Sequence, residues 1–360
     1  MPTDFSITNN IRNVRAHIPA HVTLVCVSKF HPVEAIREAY DAGERHFGES
    51  RVQELKQKIP LLPDDIHWHF IGHLQTNKVR DLLKLRPYLI HSVDSERLLN
   101  ALNEEAIRQG IVQNILLEIH VAKEETKTGL SKTQVRLILD HSATVWHGLR
   151  IVGLMAMATN TDDETEIRRC FNLTASLASD LSAKRSVFCQ AQPVLKHILN
   201  SAGIERFSDY QFDMCRLGIG LYGFSFAGAK LRNVCTIETT ILSVKTVKAG
   251  ETIGYGRHTK LDEDRTIAVI PIGYADGFDR RFSNYGGEVW VRGKRCPVVG
   301  NVCMDQAMVD VTGADARPGD SVEVFGEHLP LEELADKLGT ITYEILTSVS
   351  RRVQRLYFYE

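Results

Sequence analysis

Lys29 closes an apolar run, Thr23 to Ser28 (TLVCVS). A lysine at the end of a buried strand is partly desolvated, sheds its proton more readily and can form a Schiff base with a carbonyl. The same residue after an exposed strand is an ordinary surface lysine. Two further stretches suit an anion: Asn200 to Gly203 (NSAG) and Arg216 to Gly220 (RLGIG). Small residues let backbone N–H groups approach a phosphate closely, and the Ser201 hydroxyl can donate to it. Two glycine-containing turns would carry the same spelling. Tyr255 stands between glycines in Ile253 to Arg257 (IGYGR), which marks either a close approach of backbone or a hairpin tip. The runs PIGYADG (271–277) and CMDQ (303–306) also set small and polar residues after apolar strands.

The elements that must position these groups fall into two textures. Up to about Phe226, short apolar runs alternate with amphipathic stretches. Thr23–Ser28, His46–Phe47, His67–Gly72, Ile90–Val93, Ile115–Val121, Ile151–Ala158, Leu195–Leu199 and Arg216–Tyr222 are the strand candidates. Between them, Val33, Ile36 and Tyr40 mark one helix face, with Pro32 suited to a first turn and Gly43 to a stop. Leu98, Leu99 and Leu102 mark another. Ser131 and Gln134 spell a capping box before Val135, Leu137 and Ile138. Ile167, Phe171 and Leu177 mark a fourth. Eight strand–helix units predict a parallel α/β barrel, in which catalytic groups sit at the C-terminal strand ends and phosphate at the loops after strands 7 and 8. Lys29, NSAG and RLGIG occupy those places. After FAGAKLRN (226–233), strand-like segments follow one another: Thr236–Val247, Thr266–Ile272, Glu288–Val291 and Val322–Phe325, with Gly293 in a turn and one short helix, Leu331–Leu338. The expected domains are therefore 1–226, a barrel, and 227–360, mostly β.

Composition narrows the class. Lys plus Arg (43) nearly balance Asp plus Glu (45), so no basic excess points to nucleic acid. No apolar run is long enough to span a bilayer, and the polar start MPTDFSITNN lacks a secretory pattern. The seven cysteines form no C-x-x-C pair, so neither a zinc knuckle nor a disulfide framework is expected. A cytoplasmic enzyme of small molecules, without a metal, is the expectation.

From about Lys196 onward the chain resembles bacterial alanine racemases, on HILNSAGIERF, QFDMCRLGIGLYG, IGYGR, IPIGYADG, GNVCMDQAMVD and ITYEILTSVSRRV. Residues 1 to about 185 resemble the barrel-only pyridoxal 5′-phosphate (PLP) homeostasis proteins, on VSKFHP, HFGESRVQE, WHFIGHLQTNK, HSVD, EETKTG and GLMAMATNTDDE. The chain thus reads as a hybrid, natural or engineered, with a seam between Phe188 and Lys196. The resemblance implies PLP on Lys29 in a barrel of the alanine racemase type, a β domain, and a head-to-tail homodimer. It implies phosphate contacts from Asn200, Ser201, Gly218, Ile219 and Tyr343, and Arg216 at the pyridine nitrogen. Tyr255, from the partner subunit, is implied as the second base, with Lys127, Tyr274, Met304 and Asp305 on the substrate side. The implied activity is racemisation of a small amino acid, alanine first. A PLP carrier with little chemistry is the alternative, and the β domain with Tyr255 argues against it.

Three positions depart from the racemase pattern. Val33 replaces a tyrosine four residues after the lysine. Lys127 replaces an arginine and so lacks its planar fork. Met155 and Ala156 stand where a histidine packs on the cofactor ring. Reduced activity is the expectation.

Overall fold

The computed structural model describes residues 7–123, 128–159, 161, 163–184, 194–224, 235–254, 256–257 and 259–356. Two compact units divide at Arg232 and Asn233. In the first, α1 (Ile7–Arg15) precedes β1 (Thr23–Val27), α2 (Val33–Asp41), β2 (His46–Glu49), α3 (Val52–Lys58) and β3 (His67–Phe70). Then come α4 (Val79–Lys84), β4 (Leu89–Val93), α5 (Glu96–Arg108), β5 (Gln113–Ile119), α6 (Lys132–Val145) and β6 (Leu149–Ala156). The unit ends with α7 (Glu164–Lys184), β7 (Leu195–His197), α8 (Ser201–Arg206) and β8 (Met214–Leu217). All eight strands form one sheet in the order β7-β6-β5-β4-β3-β2-β1-β8. The last strand returns parallel to the first, with Thr23 opposite Met214 and Val25 opposite Arg216. Between β7 and β8 two backbone bonds complete the ring: Asp213 N–H to Lys196 C=O (3.2 Å) and Arg216 N–H to Leu199 C=O (3.1 Å). The result is a nearly closed (β/α)8 barrel, as the alternation requires.

Local chemistry explains the elements. Inside the barrel, Val25, Leu89, Leu116, Met155 and Met214 pack as one buried cluster. Ser95 caps α5 by accepting the Leu98 N–H, and Leu98, Leu99 and Leu102 turn that helix's apolar face inward. The Ser131–Gln134 box forms reciprocally: Ser131 Oγ accepts the Gln134 N–H (3.3 Å) while Gln134 Oε1 accepts the Ser131 N–H (2.9 Å). Leu137, read as part of the apolar face, is exposed, whereas Val135 and Ile138 are buried. Pro32 sits one place earlier than expected, as the extended N-cap of α2. The segment Arg216–Tyr222, expected as one strand, stops at Leu217; Ile219–Tyr222 is a 3-10 turn. Gly218, at φ −107° and ψ −93°, makes the break.

In the second unit, β9 (Ile237–Thr240), β10 (Ser243–Val247), β13 (Arg265–Ile270), β14 (Glu288–Val291), β15 (Lys294–Val299), β16 (Ala307–Asp310) and β17 (Ser321–Phe325) form an antiparallel sheet. Its order is β10-β13-β16-β15-β14-β17-β9. A separate hairpin pairs β11 (Thr252–Ile253) with β12 (Thr259–Lys260). The run expected as one strand from Thr236 to Val247 is two, because the chain changes neighbours at Ile241–Leu242. Ile241 N–H bonds Asp320 C=O, and Leu242 N–H bonds Val269 C=O. Arg292 and Gly293 both have positive φ (45° and 82°), the requirement of a tight turn between β14 and β15. After α9 (Leu331–Leu338), a second helix, α10 (Thr342–Ser348), was not expected from sequence. Its β-branched Thr342, Ile345 and Thr347 hide a helix that buries only Ile345.

Gly153 marks the tightest strand approach of the barrel: an added Cβ would lie 2.0 Å from the Leu195 carbonyl oxygen on β7. Gly153→Ala should cost about 3 kcal/mol, as overpacking against backbone does. Gly43→Ala, with φ +105° but nothing within 4 Å of the new Cβ, should cost about 1 kcal/mol. Urea unfolding of both variants checks this; equal losses would refute it.

Candidate active site

Lys29 follows β1 by two residues, so the barrel places it on the C-terminal rim. It is solvent-exposed, yet surrounding protein lowers its ammonium pKa. Burial of its stem contributes most, then the Arg216 guanidinium; the carboxyls of Glu49 and Glu54 pull the other way. A rim lysine with a lowered pKa is chemically a nucleophilic amine.

The turn carrying Lys29 is held from α3. Lys58 Nζ donates to the Ser28 carbonyl (3.0 Å), to Glu49 Oε1 (2.7 Å) and to Glu54 Oε2 (2.8 Å). Ser28 Oγ donates to the same Glu49 oxygen (2.7 Å), and Phe30 N–H donates to Glu54 Oε2 (2.8 Å). Glu49 is fully buried and Lys58 nearly so. Burial pushes the Glu49 carboxyl up to about 7 against the pull of Lys58 and Ser28. Glu54 is lowered: burial opposes this, but its bonds to Lys58 and Phe30 outweigh it. Raising Glu49 toward neutrality lessens the excess of negative charge that two carboxyls would otherwise place around one buried ammonium. Phe30 itself sits at φ 66°, a left-handed conformation costing a non-glycine residue about 1–2 kcal/mol. His31 stacks on Tyr222 with ring centroids 3.4 Å apart, and burial holds its pKa down to about 3.

Across the closing seam, Ser201 is buried at the start of α8 and accepts the Gly218 N–H on its Oγ (3.0 Å). That leaves its hydroxyl hydrogen to donate elsewhere. Asn200 caps α8, its Oδ1 accepting the Gly203 N–H (3.1 Å). A Cβ on Gly218 would come 3.6 Å from Val27 and 3.9 Å from Ser201 Oγ, so Gly218 borders the same rim. Ile219 is buried beside it. Arg216, one layer deeper on β8, is buried; its charge acts on Lys29, Glu118, His91 and His197. The structure therefore brings Lys29, Asn200, Ser201, Arg216, Gly218 and Ile219 together. Met155 is buried in the apolar cluster below, and Ala156 beside it is fully covered. Lys127 and Tyr255 lie outside the described residues.

Below the rim runs a column of imidazoles that sequence reasoning missed. His46 Nδ1 bonds His69 Nε2 (2.9 Å), His69 Nδ1 bonds His91 Nε2 (2.7 Å), and His91 Nδ1 bonds His197 Nε2 (2.9 Å). The last link crosses the barrel interior from β4 to β7. Burial lowers the pKa of His69, His91 and His197 well below the ordinary value, and of His46 to about 4. The available signal was histidine at inward-facing places in otherwise apolar strands.

In the second unit, Tyr274 and Met304 meet through backbone. Tyr274 N–H bonds Cys303 C=O (3.0 Å), and Ala275 N–H bonds Met304 C=O (3.1 Å). Gly273 allows this, since a Cβ there would lie 2.3 Å from the Cys303 oxygen. Arg352 grips both loops, bonding Asp276 Oδ1 (2.6 Å) and Asp305 Oδ1 (2.6 Å). Tyr274 and Met304 are exposed. Tyr343 lies half-buried on α10, whose last residue touches Gly277: a Cβ there would lie 2.7 Å from the Ser348 oxygen. The glycines flanking Tyr255, at φ 81° and 83°, lie in the tip of the β11–β12 hairpin. Gly254 packs against Gly300 and Asn301, at the base of the Met304 loop.

A (β/α)8 barrel with an amine and a small-residue anion cradle on one rim, followed by a β unit, defines a class of lysine-dependent cofactor enzymes. The comparisons give the family. Residues 5–226 match the alanine racemase N-terminal domain and 234–357 the alanine racemase C-terminal domain. Alanine racemase 1 of Caldanaerobacter subterraneus is 30% identical, covering 99% of this chain and 93% of its own length. The alanine racemase of Desulforamulus reducens is 30% identical, covering 98% and 96%. Among solved structures, that from Streptomyces coelicolor has a TM-score of 0.88 at 26% identity, covering 98% of this chain and 96% of its own. The Bartonella henselae racemase, with covalently bound pyridoxal phosphate, has a TM-score of 0.83 at 25% identity, covering 98% and 97%. The chain belongs to the alanine racemase family. The N-terminal match runs through the seam expected between Phe188 and Lys196, and no second lineage in the barrel finds support.

The depressed histidines predict acid lability. Each prefers to stay neutral in the fold, while the unfolded chain takes up protons below about pH 6.5, so stability falls as pH drops through that value. His31, His46, His69, His91 and His197 should each cost about 1 kcal/mol at pH 5.5. Glu49 and Glu118, both raised by burial, work oppositely over the same window but are fewer. Tm should therefore fall between pH 7.5 and 5.5; a flat or rising Tm in scanning calorimetry would refute it.

Proposed function

We propose that the protein is a PLP-dependent racemase that interconverts L- and D-alanine. The observation that carries this is Lys29, an amine of lowered pKa, on one rim with the Ser201–Gly218 cradle and the buried Arg216. This donor set fits a phosphate-bearing aldehyde: an amine for the carbonyl, a spare hydroxyl donor and backbone N–H groups for the phosphate. No helix among the described residues is long and apolar enough to cross a membrane.

Lys29 would hold the cofactor, while Asn200, Ser201, Gly218, Ile219 and Tyr343 would seat its phosphate. Bound PLP would serve as the electron sink that makes the α-proton of alanine removable. Lys29, once released, would carry that proton on one face, and Tyr255 of the partner subunit on the other. Arg216 would face the ring nitrogen; a guanidinium donates without surrendering its proton, which restrains the sink and limits side reactions. Lys127, Tyr274, Met304 and Asp305 would bound the substrate end. Residues 1–226 would form the barrel and 227–360 the β domain of a cytoplasmic homodimer. Val33, Lys127 and Met155, which depart from the racemase pattern, support reduced activity.

The purified protein should bind PLP, borohydride should fix the cofactor on Lys29, and D-alanine should form from L-alanine. Bound PLP without D-alanine would favour a carrier. Tyr255→Phe should keep PLP and lose most racemisation, while Lys29 still exchanges the α-proton of one enantiomer with deuterated solvent.

Mixing Lys29→Ala with Tyr255→Phe tests the shared site. Each heterodimer would hold one site with both defects and one with neither, so about a quarter of parental sites should return. No recovery from confirmed heterodimers would mean that Lys29 and Tyr255 act within one chain, or not together at all.

A further inference from the structure

We propose that Glu54 and Lys58, backed by Glu49 and Ser28, form a clamp that positions Lys29 for its carbonyl partner. The proposal rests on the reading that Lys29 bears the cofactor. Both peptide groups that join Lys29 to the chain are held by one turn of α3. The carbonyl before it, on Ser28, accepts from Lys58 Nζ at 3.0 Å. The N–H after it, on Phe30, donates to Glu54 Oε2 at 2.8 Å. Glu54 and Lys58 also bond each other at 2.8 Å across an i,i+4 step, so the two grips form one unit.

Three observations favour positioning over simple stability. Phe30 adopts φ 66° although its side chain is 60% exposed, so core packing does not account for the strained turn. The strain serves the backbone direction, and such strain gathers where a site needs a particular geometry. Second, the clamp buries charge: Glu49 is fully covered and Lys58 is 7% exposed. An apolar pair would hold α3 on β2 at no desolvation cost. Third, Glu49 and Glu54, which grip the turn, also oppose Arg216 electrostatically in setting the charge state of Lys29. The same groups thus fix where the amine sits and temper how readily it loses its proton.

The test titrates the cofactor-stripped full chain with PLP and follows the visible absorbance of the bound cofactor and its pH midpoint, with circular dichroism and Tm recorded alongside. Glu54→Gln and Lys58→Met should each weaken PLP binding about ten-fold and move the pH midpoint, with the far-ultraviolet spectrum unchanged. Lys58→Arg should recover part of the loss. The decisive arm is Phe30→Gly, since glycine takes positive φ without support. In the Glu54→Gln background it should restore most of the affinity, a non-additive cycle. Parental affinity and midpoint in Glu54→Gln would overturn the clamp, as would a Phe30→Gly effect that merely adds. Should Lys58→Met fail to fold, the Glu54 and Phe30 pair still decides. Borohydride and peptide mapping of the parent separate the two levels: label on a lysine other than Lys29 overturns the cofactor reading, whereas label on Lys29 with unaffected variants overturns the clamp alone.

Discussion

Everything in the first unit depends on one pairing, that of the first strand with the last. Val25 lies opposite Arg216 because β8 returns parallel to β1 after seven strand–helix units. That register sets Val27, the end of β1, beside Gly218, the first residue past β8, with Lys29 two residues further along the same rim. The Arg216 N–H bond to Leu199 then ties in the end of β7, and with it Asn200 and Ser201. Residues far apart in sequence become neighbours through ladder geometry alone. The cradle exists only while the ring is closed, since Ser201 Oγ and Gly218 N–H belong to opposite sides of the last seam.

A closed barrel must fill its interior, and this one fills it with two chemistries. The cluster of Val25, Leu89, Leu116, Met155 and Met214 is apolar. Beside it, four imidazoles satisfy one another. A neutral imidazole has one N–H and one lone pair, so a chain of them closes its internal bonds only if every member points the same way. Each bond in the column joins the Nδ1 of one ring to the Nε2 of the next, so all four rings share one tautomer. The column is a polar strut that runs from half-buried His46 through His69 and His91 to His197. Its cost is borne in acid, where any added proton breaks that order.

Much of this was legible in the sequence. The eight strand candidates sit within a few residues of the observed ones, because each is a short apolar run bounded by polar turns. Lys29, NSAG and RLGIG were visible because strand ends and small residues carry a chemical meaning. The α3 clamp was not, since Glu54 and Lys58 read as an ordinary solvent-facing i,i+4 pair. Only the packing of α3 on β2 buries Lys58 and half-buries Glu54. The histidine column was hidden for a related reason: its members come from four strands, and no local pattern joins His91 to His197. The helix α10 was missed because its composition favours strands, and its place beside Gly277 is tertiary.

The departures from the racemase pattern become physically coherent beside the clamp. Val33 opens α2, and just before it His31 stacks on Tyr222, with rings 3.4 Å apart. Tyr222 reaches back to the Val27 carbonyl (3.4 Å), so that stack secures the strand end from one side while the ion pair secures the turn from the other. Met155 places a flexible thioether in the apolar cluster rather than a ring above it, and flexible side chains fill space without fixing orientation. Buried charge defines direction through hydrogen bonds, which are stricter in angle than apolar contacts. This chain holds its lysine by directional bonds to the backbone on either side of it.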